Sequence, residues 1–149
     1  MSPAAAPASK ARLRLWLRML GATRAVEGAL RERLRAEFAT TLPRFDVLAA
    51  LARHEGGLRM SELSGALRVS NGNVTGIVGR LAAEGLIERA ATPGDRRARV
   101  VRLTAAGRAA FAAQAAAHEG WVDDLLADVA AEEAAALAAR LGRLEAQEG

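Results

Sequence analysis

The sequence predicts a mainly α-helical fold that carries one small β-hairpin. Three observations predict it. Of the 149 residues, 37 are alanine, the strongest helix former. Aliphatic side chains recur at helical spacing, as at Val74, Ile77, Val78 and Leu81. Between residues 86 and 103 the apolar period falls to two on either side of Pro93-Gly94-Asp95, which reads as two strands and a turn. The length points to one domain, and a chain of this size buries about 68–70% of its unfolded surface without a staple. Aromatic residues make up 3%, so the core is expected to be aliphatic.

Residues 1–9 hold two prolines and no charged side chain, and read as a flexible tail. From Lys10 to Ala39 there is no proline, and Trp16, Leu20, Leu30 and Leu34 share one broad stripe of a first helix. Pro43 opens a second helix, because its fixed φ suits the first turn and its missing N–H is not needed there. Phe45, Val47, Leu48 and Leu51 form the buried side, and Gly56-Gly57 stops it. Ser61 is expected to cap a short helix over Glu62–Leu67, and Ser70 the next, Asn71–Glu84, which Gly85 ends at a C′ position. The strands follow at Leu86–Ala90 and Arg99–Leu103. Thr104 caps a long helical region in which Phe111, Ala115, His118, Val122 and Leu125 form a seam suited to packing on another helix. A break near Asp128–Ala131 separates a last helix with Leu137, Leu141 and Leu144 on one face.

Charge divides the chain unevenly. Residues 1–108 hold 19 basic and 9 acidic side chains, residues 109–149 hold 2 and 8, and 20 of the 21 basic residues are arginine. A basic body with an acidic end suggests one surface for a polyanion and another for protein, although arginine- and alanine-rich coding gives the same composition. The absence of cysteine excludes disulfides, thiolate metal sites and thiol redox switches. No run of about 20 apolar residues and no signal peptide is present, so no membrane partner and a cytoplasmic location are expected. Enzyme chemistry finds no support: the two histidines stand 64 positions apart, no phosphate-cradling loop occurs, and Asp123-Asp124 and Glu132-Glu133 split across helix faces. Neither catalytic residues, a metal nor a cofactor is expected.

Two short helices followed by a basic hairpin form a winged helix-turn-helix, whose second helix enters the DNA major groove. On Asn71–Glu84, the face opposite the aliphatic stripe carries Gly72, Asn73, Thr75, Gly76, Gly79 and Arg80. Three interior glycines cost up to ~1 kcal/mol each relative to alanine, so propensity does not explain them, whereas close approach to DNA does. Asn73 suits an adenine edge, Thr75 a thymine methyl, and Arg80 a guanine or phosphate, with Ser70 and Asn71 joining them at the helix start. The competing reading is a plain solvated face. At the hairpin tip, Arg96 and Arg97 suit the narrow minor groove, and Asp95 is expected to hold the turn and aim an arginine. The plain alternative, a solvated turn, fits Pro93-Gly94 better than consecutive arginines.

The stretch Asp95-Arg96-Arg97-Ala98-Arg99-Val100-Val101-Arg102-Leu103-Thr104-Ala105-Ala106-Gly107 resembles the wing signature of the multiple-antibiotic-resistance regulator (MarR) family. Ser61-Glu62-Leu63 and the run from Val74 to Ile87 resemble the same family, and the likeness extends over residues 11–147. The resemblance implies a single domain over residues 10–149, with dimerisation helices at 10–40 and 105–149 and a winged helix-turn-helix lobe at 43–104. It implies a sequence-specific transcriptional regulator, often a homodimeric repressor on a pseudo-palindromic double-stranded DNA operator, relieved by a small, largely apolar ligand such as an aromatic acid. Carried over, Thr75 and its neighbours read the major groove, Arg97 the minor groove, and Asp95 supports the wing. Without cysteine, the chain lacks the means of the thiol-switched members. The glycines at 72, 76 and 79 keep operator specificity from being copied from relatives.

The family's effector pocket lies between dimerisation helices and reading lobe, which makes Trp16, His118 and Trp121 the candidate ligand residues. Core or dimer packing is the plainer role for all three, and His54 is expected to cap helix carbonyls. Leu13, Leu17 and Leu20 with Leu125, Leu137, Leu141 and Leu144 exceed what one lobe needs to bury, which predicts a two-fold dimer. The alternative to sequence reading is a winged-helix module that binds protein.

Overall fold

The computed structural model describes residues 7–68, 73–92 and 94–147. Its elements follow the predicted order: α1 (Ala8–Phe38), α2 (Leu42–Ala52), α3 (Met60–Ala66), α4 (Val74–Ala83), β1 (Ile87–Thr92), β2 (Asp95–Leu103), α5 (Ala105–Leu125) and α6 (Ala131–Ala146). Of the expected tail, residues 1–6 lie outside the described residues, and Ala8 and Ser9 already belong to α1.

Helix α1 has 31 residues, enough to outrun the body it packs on. Its stripe therefore divides. Leu30 and Leu34 are buried with Leu42, Phe45 and Trp121, whereas Trp16, nearer the free end, is 53% exposed. In α2, the Thr41 hydroxyl accepts from the Arg44 N–H at 3.2 Å and Pro43 occupies the first turn. Phe45, Val47, Leu48 and Leu51 are all buried. The helix ends at Ala52, before the glycine pair expected to stop it. Gly57 serves the sheet instead. With φ at 89°, it sits where a Cβ would fall 2.6 Å from the Val101 carbonyl oxygen, and Leu58 and Val101 exchange two backbone hydrogen bonds of 2.9 and 2.8 Å.

Two caps differ from expectation. Ser61 lies inside α3, whose start is held by Glu62 accepting from the Arg59 N–H at 2.9 Å. Helix α4 begins at Val74 with Asn73 as its cap, three residues after the expected start; Ser70, Asn71 and Gly72 lie outside the described residues. Asparagine is among the best caps, so Asn73 stops the helix from extending backwards. The buried Asp46 accepts from the Arg68 N–H at 2.7 Å, which fixes the chain where α3 leads toward α4.

The hairpin ladder runs antiparallel from Ile87↔Leu103 to Ala91↔Arg99, then shifts so that Thr92 pairs with Asp95. The insertion of three residues in β2 is a bulge, and bulges re-aim side chains. Asp95, expected in the turn, begins β2. At the base, Arg102 Nε donates to Glu88 at 2.7 Å across the strands. The Thr104 hydroxyl caps α5, accepting from the Gly107 N–H at 3.0 Å.

One apolar cluster joins α2, α3, α4 and the strands through Leu48, Leu51, Leu63, Val78, Leu81 and Val101. A second joins α1, α2 and α5, and Phe111 packs against both. Helix α6 buries no residue, and its leucines 137, 141 and 144 are exposed.

Candidate nucleic-acid interface

The surface opposite the aliphatic stripe of α4 is set by helical spacing. Ile77, Val78 and Leu81 are buried, which turns Thr75, Gly79, Arg80 and Ala83 outward. The glycines here have different reasons. Asn73 Oδ1 accepts from the Gly76 N–H at 3.2 Å, and a Cβ on residue 76 would stand 2.6 Å from both terminal atoms of that side chain. Gly76 thus makes room for the cap. Gly79 faces open space, so nothing in the folded chain demands it. Asn73 itself is exposed at the start of α4, with one lone pair of Oδ1 engaged in the cap.

On the wing, Arg97 and Arg99 are exposed, and neither forms an ion pair among the described residues. Asp95 Oδ1 accepts from the backbone N–H of Arg97 at 2.9 Å. Its carboxylate thus braces the backbone at the start of β2, beside the tip it was expected to hold. The side chain of Arg96 lies outside what the structure describes, as does Pro93.

A cavity of about 520 Å³ separates the end of α1 from α4, bordered by Arg31 and Arg35, by Thr40 and Arg44, and by Ile77 and Arg80. Arg44 pairs with Glu84, and its Nε donates to Thr40 Oγ1 at 3.2 Å. Sequence reasoning missed this group. Arg31 and Arg35 show the i, i+4 spacing of one helix face, but nothing local links Arg44 to a carboxylate 40 positions away.

The candidate ligand residues do not meet within one chain. Trp121 is buried, with its ring 6.2 Å from Phe38. Trp16 stands 14 to 22 residues up α1 from Leu30 and Phe38, roughly 21–33 Å along the axis. It borders a different cavity, of about 510 Å³, with Arg12, Arg140 and Arg143. His118 is half-buried and stacks on Phe45 with ring centroids 4.5 Å apart. One turn earlier on α5, the buried Gln114 Oε1 has no hydrogen-bond partner among the described residues.

Burial pushes the His118 imidazole below its usual value of 6.5. The folded chain thus disfavours the charged ring. The stability this neutral ring contributes is full above 6.5 and is lost as pH falls from there through the lowered value. His118→Phe is expected to flatten the fall in urea midpoint between about pH 7.5 and about 5.5, and an unchanged slope would assign that fall to other groups.

Comparison with curated protein sequences gives no match. The sequence profile of the MarR family matches residues 40–98. A crystal structure of a MarR family transcriptional regulator from Silicibacter pomeroyi is 35% identical, with a TM-score of 0.78 over 96% of this chain and 99% of that one. The chain belongs to the MarR family. Two further solved structures show the fold. The transcriptional regulator BldR from Sulfolobus solfataricus is 22% identical, with a TM-score of 0.82 over 95% of this chain and 99% of its own. Bordetella bronchiseptica BpsR, whose DNA binding is regulated by 6-hydroxynicotinic acid, is 23% identical, with a TM-score of 0.72 over 85% of this chain and 89% of its own. As a MarR family member the protein is a DNA-binding transcriptional regulator and not an enzyme. Among the described residues, no helix is long and apolar enough to cross a membrane, and no cluster of acidic or histidine side chains is arranged to hold a metal.

Proposed function

We propose that the protein is a homodimeric repressor that reads a pseudo-palindromic operator in the cytoplasm and releases it when a small, largely apolar acid binds between its terminal helices and its reading lobe. In this reading, residues 43–104 form the lobe, and residues 10–40 and 105–149 the dimerisation helices. The observation that carries it is the outward strip of α4, where Thr75, Gly79 and Ala83 leave the backbone bare beside the exposed Arg80. A helix this slim on one side can lie deep in a major groove while the wing's Arg97 reaches the flanking minor groove. Ser70, Asn71, Asn73, Gly76 and Arg96 belong to the same proposed surface, and Asp95 supports the wing. An acid effector is favoured by the basic cavity beside α4 and by the fold shared with BpsR.

The test separates reading from positioning. Gly79→Leu is expected to leave stability equal or slightly raised, by up to about 1 kcal/mol, because the site is open and leucine is the better helix former. It should nonetheless weaken operator binding at least about 10-fold, since the added side chain holds the helix off the groove. Thr75→Ala should relax preference at one base pair by about 1–3 kcal/mol, whereas Arg97→Ala should weaken binding to all sequences and lower the salt slope by roughly 1. Gel-shift titrations on an operator selected from genomic fragments read all three. Wild-type affinity in every variant would remove this surface as the reader and leave the protein-binding module as the better account.

A further inference from the structure

Four arginines, Arg31, Arg35, Arg44 and Arg80, stand where α1, α2 and α4 converge. Three of them are neutralised within the chain. Arg31 Nη2 lies 3.3 Å from Glu27, Arg35 pairs with Glu32, and Arg44 pairs with Glu84. Arg80 is the fourth, exposed on α4 and without an ion pair among the described residues. Local spacing alone favours the opposite. Glu84 follows Arg80 by four residues, and its backbone N–H donates to the Arg80 carbonyl at 3.0 Å, so the two side chains share one face of the last helical turn. Opposite charges so placed attract each other, as Glu27 and Arg31 do along α1.

Arg44 is the competitor that wins Glu84. Its Nε donates to Oγ1 of the buried Thr40 at 3.2 Å, and its Nη2 donates to Glu84 from 40 positions away in the chain. A planar guanidinium held at one nitrogen presents its others in a fixed direction. With 20% of its side chain exposed, Arg44 also meets Glu84 with less screening than a fully exposed pair. An arginine and a glutamate on one open helix face must instead immobilise two long side chains for little gain. Glu84 needs a cation in either case, because a carboxylate at a helix C-terminus meets the negative end of the helix dipole.

We propose that Arg44 is a positioning residue for DNA binding, which occupies Glu84 and thereby keeps the Arg80 guanidinium free for the operator. The role rests on the reading that the outward strip of α4 lies in the groove. A guanidinium already paired with a carboxylate neutralises no phosphate, and its fork is closed to a guanine edge. Arg44 thus sets the strength of the Arg80 contact from outside the reading strip.

The experiment measures operator affinity and its salt dependence by gel shift on full-length variants, with thermal melts to check folding. Arg80→Gln is expected to weaken operator binding at least about 10-fold and to lower the salt slope by roughly 1 per reading helix. Arg44→Gln should weaken binding about 5-fold with a fall in slope of the same sign, because Glu84 then takes Arg80. Glu84→Gln alone should bind at least as well as wild type, and added to Arg44→Gln it should restore affinity to within about twofold of wild type. With Arg80→Gln already present, Arg44→Gln should cost nothing more, since the group it protects is gone. A pair that merely held α4 against α2 gives the reverse pattern. Loss of either partner then weakens binding alike and the second substitution restores nothing, a result that overturns the positioning role. Should Arg44→Gln fail to fold, Arg44→Lys keeps a cation that cannot grip Thr40 and Glu84 together, and should show a smaller loss that Glu84→Gln also removes. An Arg80→Gln variant that binds like wild type takes Arg80 off the reading surface and overturns the reading and the role together. One that weakens binding, while Glu84→Gln fails to rescue either Arg44 variant, leaves the reading standing and overturns the role alone.

Discussion

Gly107→Ala is expected to destabilise the protein by about 3 kcal/mol, at the upper end of what overpacking costs. A Cβ at residue 107 would fall 2.0 Å from the Leu86 carbonyl oxygen and 3.4 Å from Leu103 Cδ2. The first of these is backbone, and it is pinned. Leu86 accepts from the Thr104 N–H at 3.1 Å, while the Thr104 hydroxyl donates to Gly85 at 2.6 Å and accepts from the Gly107 N–H at 3.0 Å. The end of α4, the base of the wing and the start of α5 thus meet at one carbonyl with no slack. Gly142, in open space on α6, supplies the control, where alanine should stabilise by about 0.5–1 kcal/mol. Thermal unfolding at fixed protein concentration should place Gly107→Ala roughly 6–12 °C below wild type. If the two variants melt together, the close approach at residue 107 does not hold the lobe.

Glutamate at both Leu137 and Leu141 is expected to yield a folded monomer that binds operator at least about 100-fold more weakly. The large apolar side chains that the described residues expose all lie toward the ends of the chain: Leu13, Leu15, Trp16 and Leu17 on α1, Leu125 and Leu126 at the end of α5, and Leu137, Leu141 and Leu144 on α6. A second copy covering them is the proposed partner, since a two-fold dimer presents two α4 helices to the two halves of a palindrome. Linking two half-site contacts raises affinity by about 10²–10⁴, and that gain disappears when the link is cut. Helix α6 buries nothing within its own chain, so the substitutions leave the core of the lobe untouched. Light scattering and gel shifts on the double variant check both halves of the expectation. A variant that stays dimeric, or a monomer that binds operator as well as wild type, would place the interface or the reading elsewhere.

Much of this protein is legible in one dimension because the decisive interactions are local. The spacing of Val74, Ile77, Val78 and Leu81 orients α4 whatever packs beneath it, since a helix repeats every 3.6 residues. Thr104 caps α5 through an N–H three residues on, and Pro43 enters α2 where its missing donor costs nothing. The wing and the family that goes with it follow from a contiguous run of residues. Other features depend on what lies across space. The stripe on α1 divides into a buried and an exposed half because α2 and α5 cover only one end of a helix that the sequence marks as uniform. Trp16 parts from Trp121 for the same reason. Gly107 is indispensable for a carbonyl 21 positions earlier, and Arg44 meets a carboxylate 40 positions later. Such pairings carry no periodic trace, because chain distance says nothing about which backbone or side-chain atoms the fold presses together. Only the packed lobe decides them.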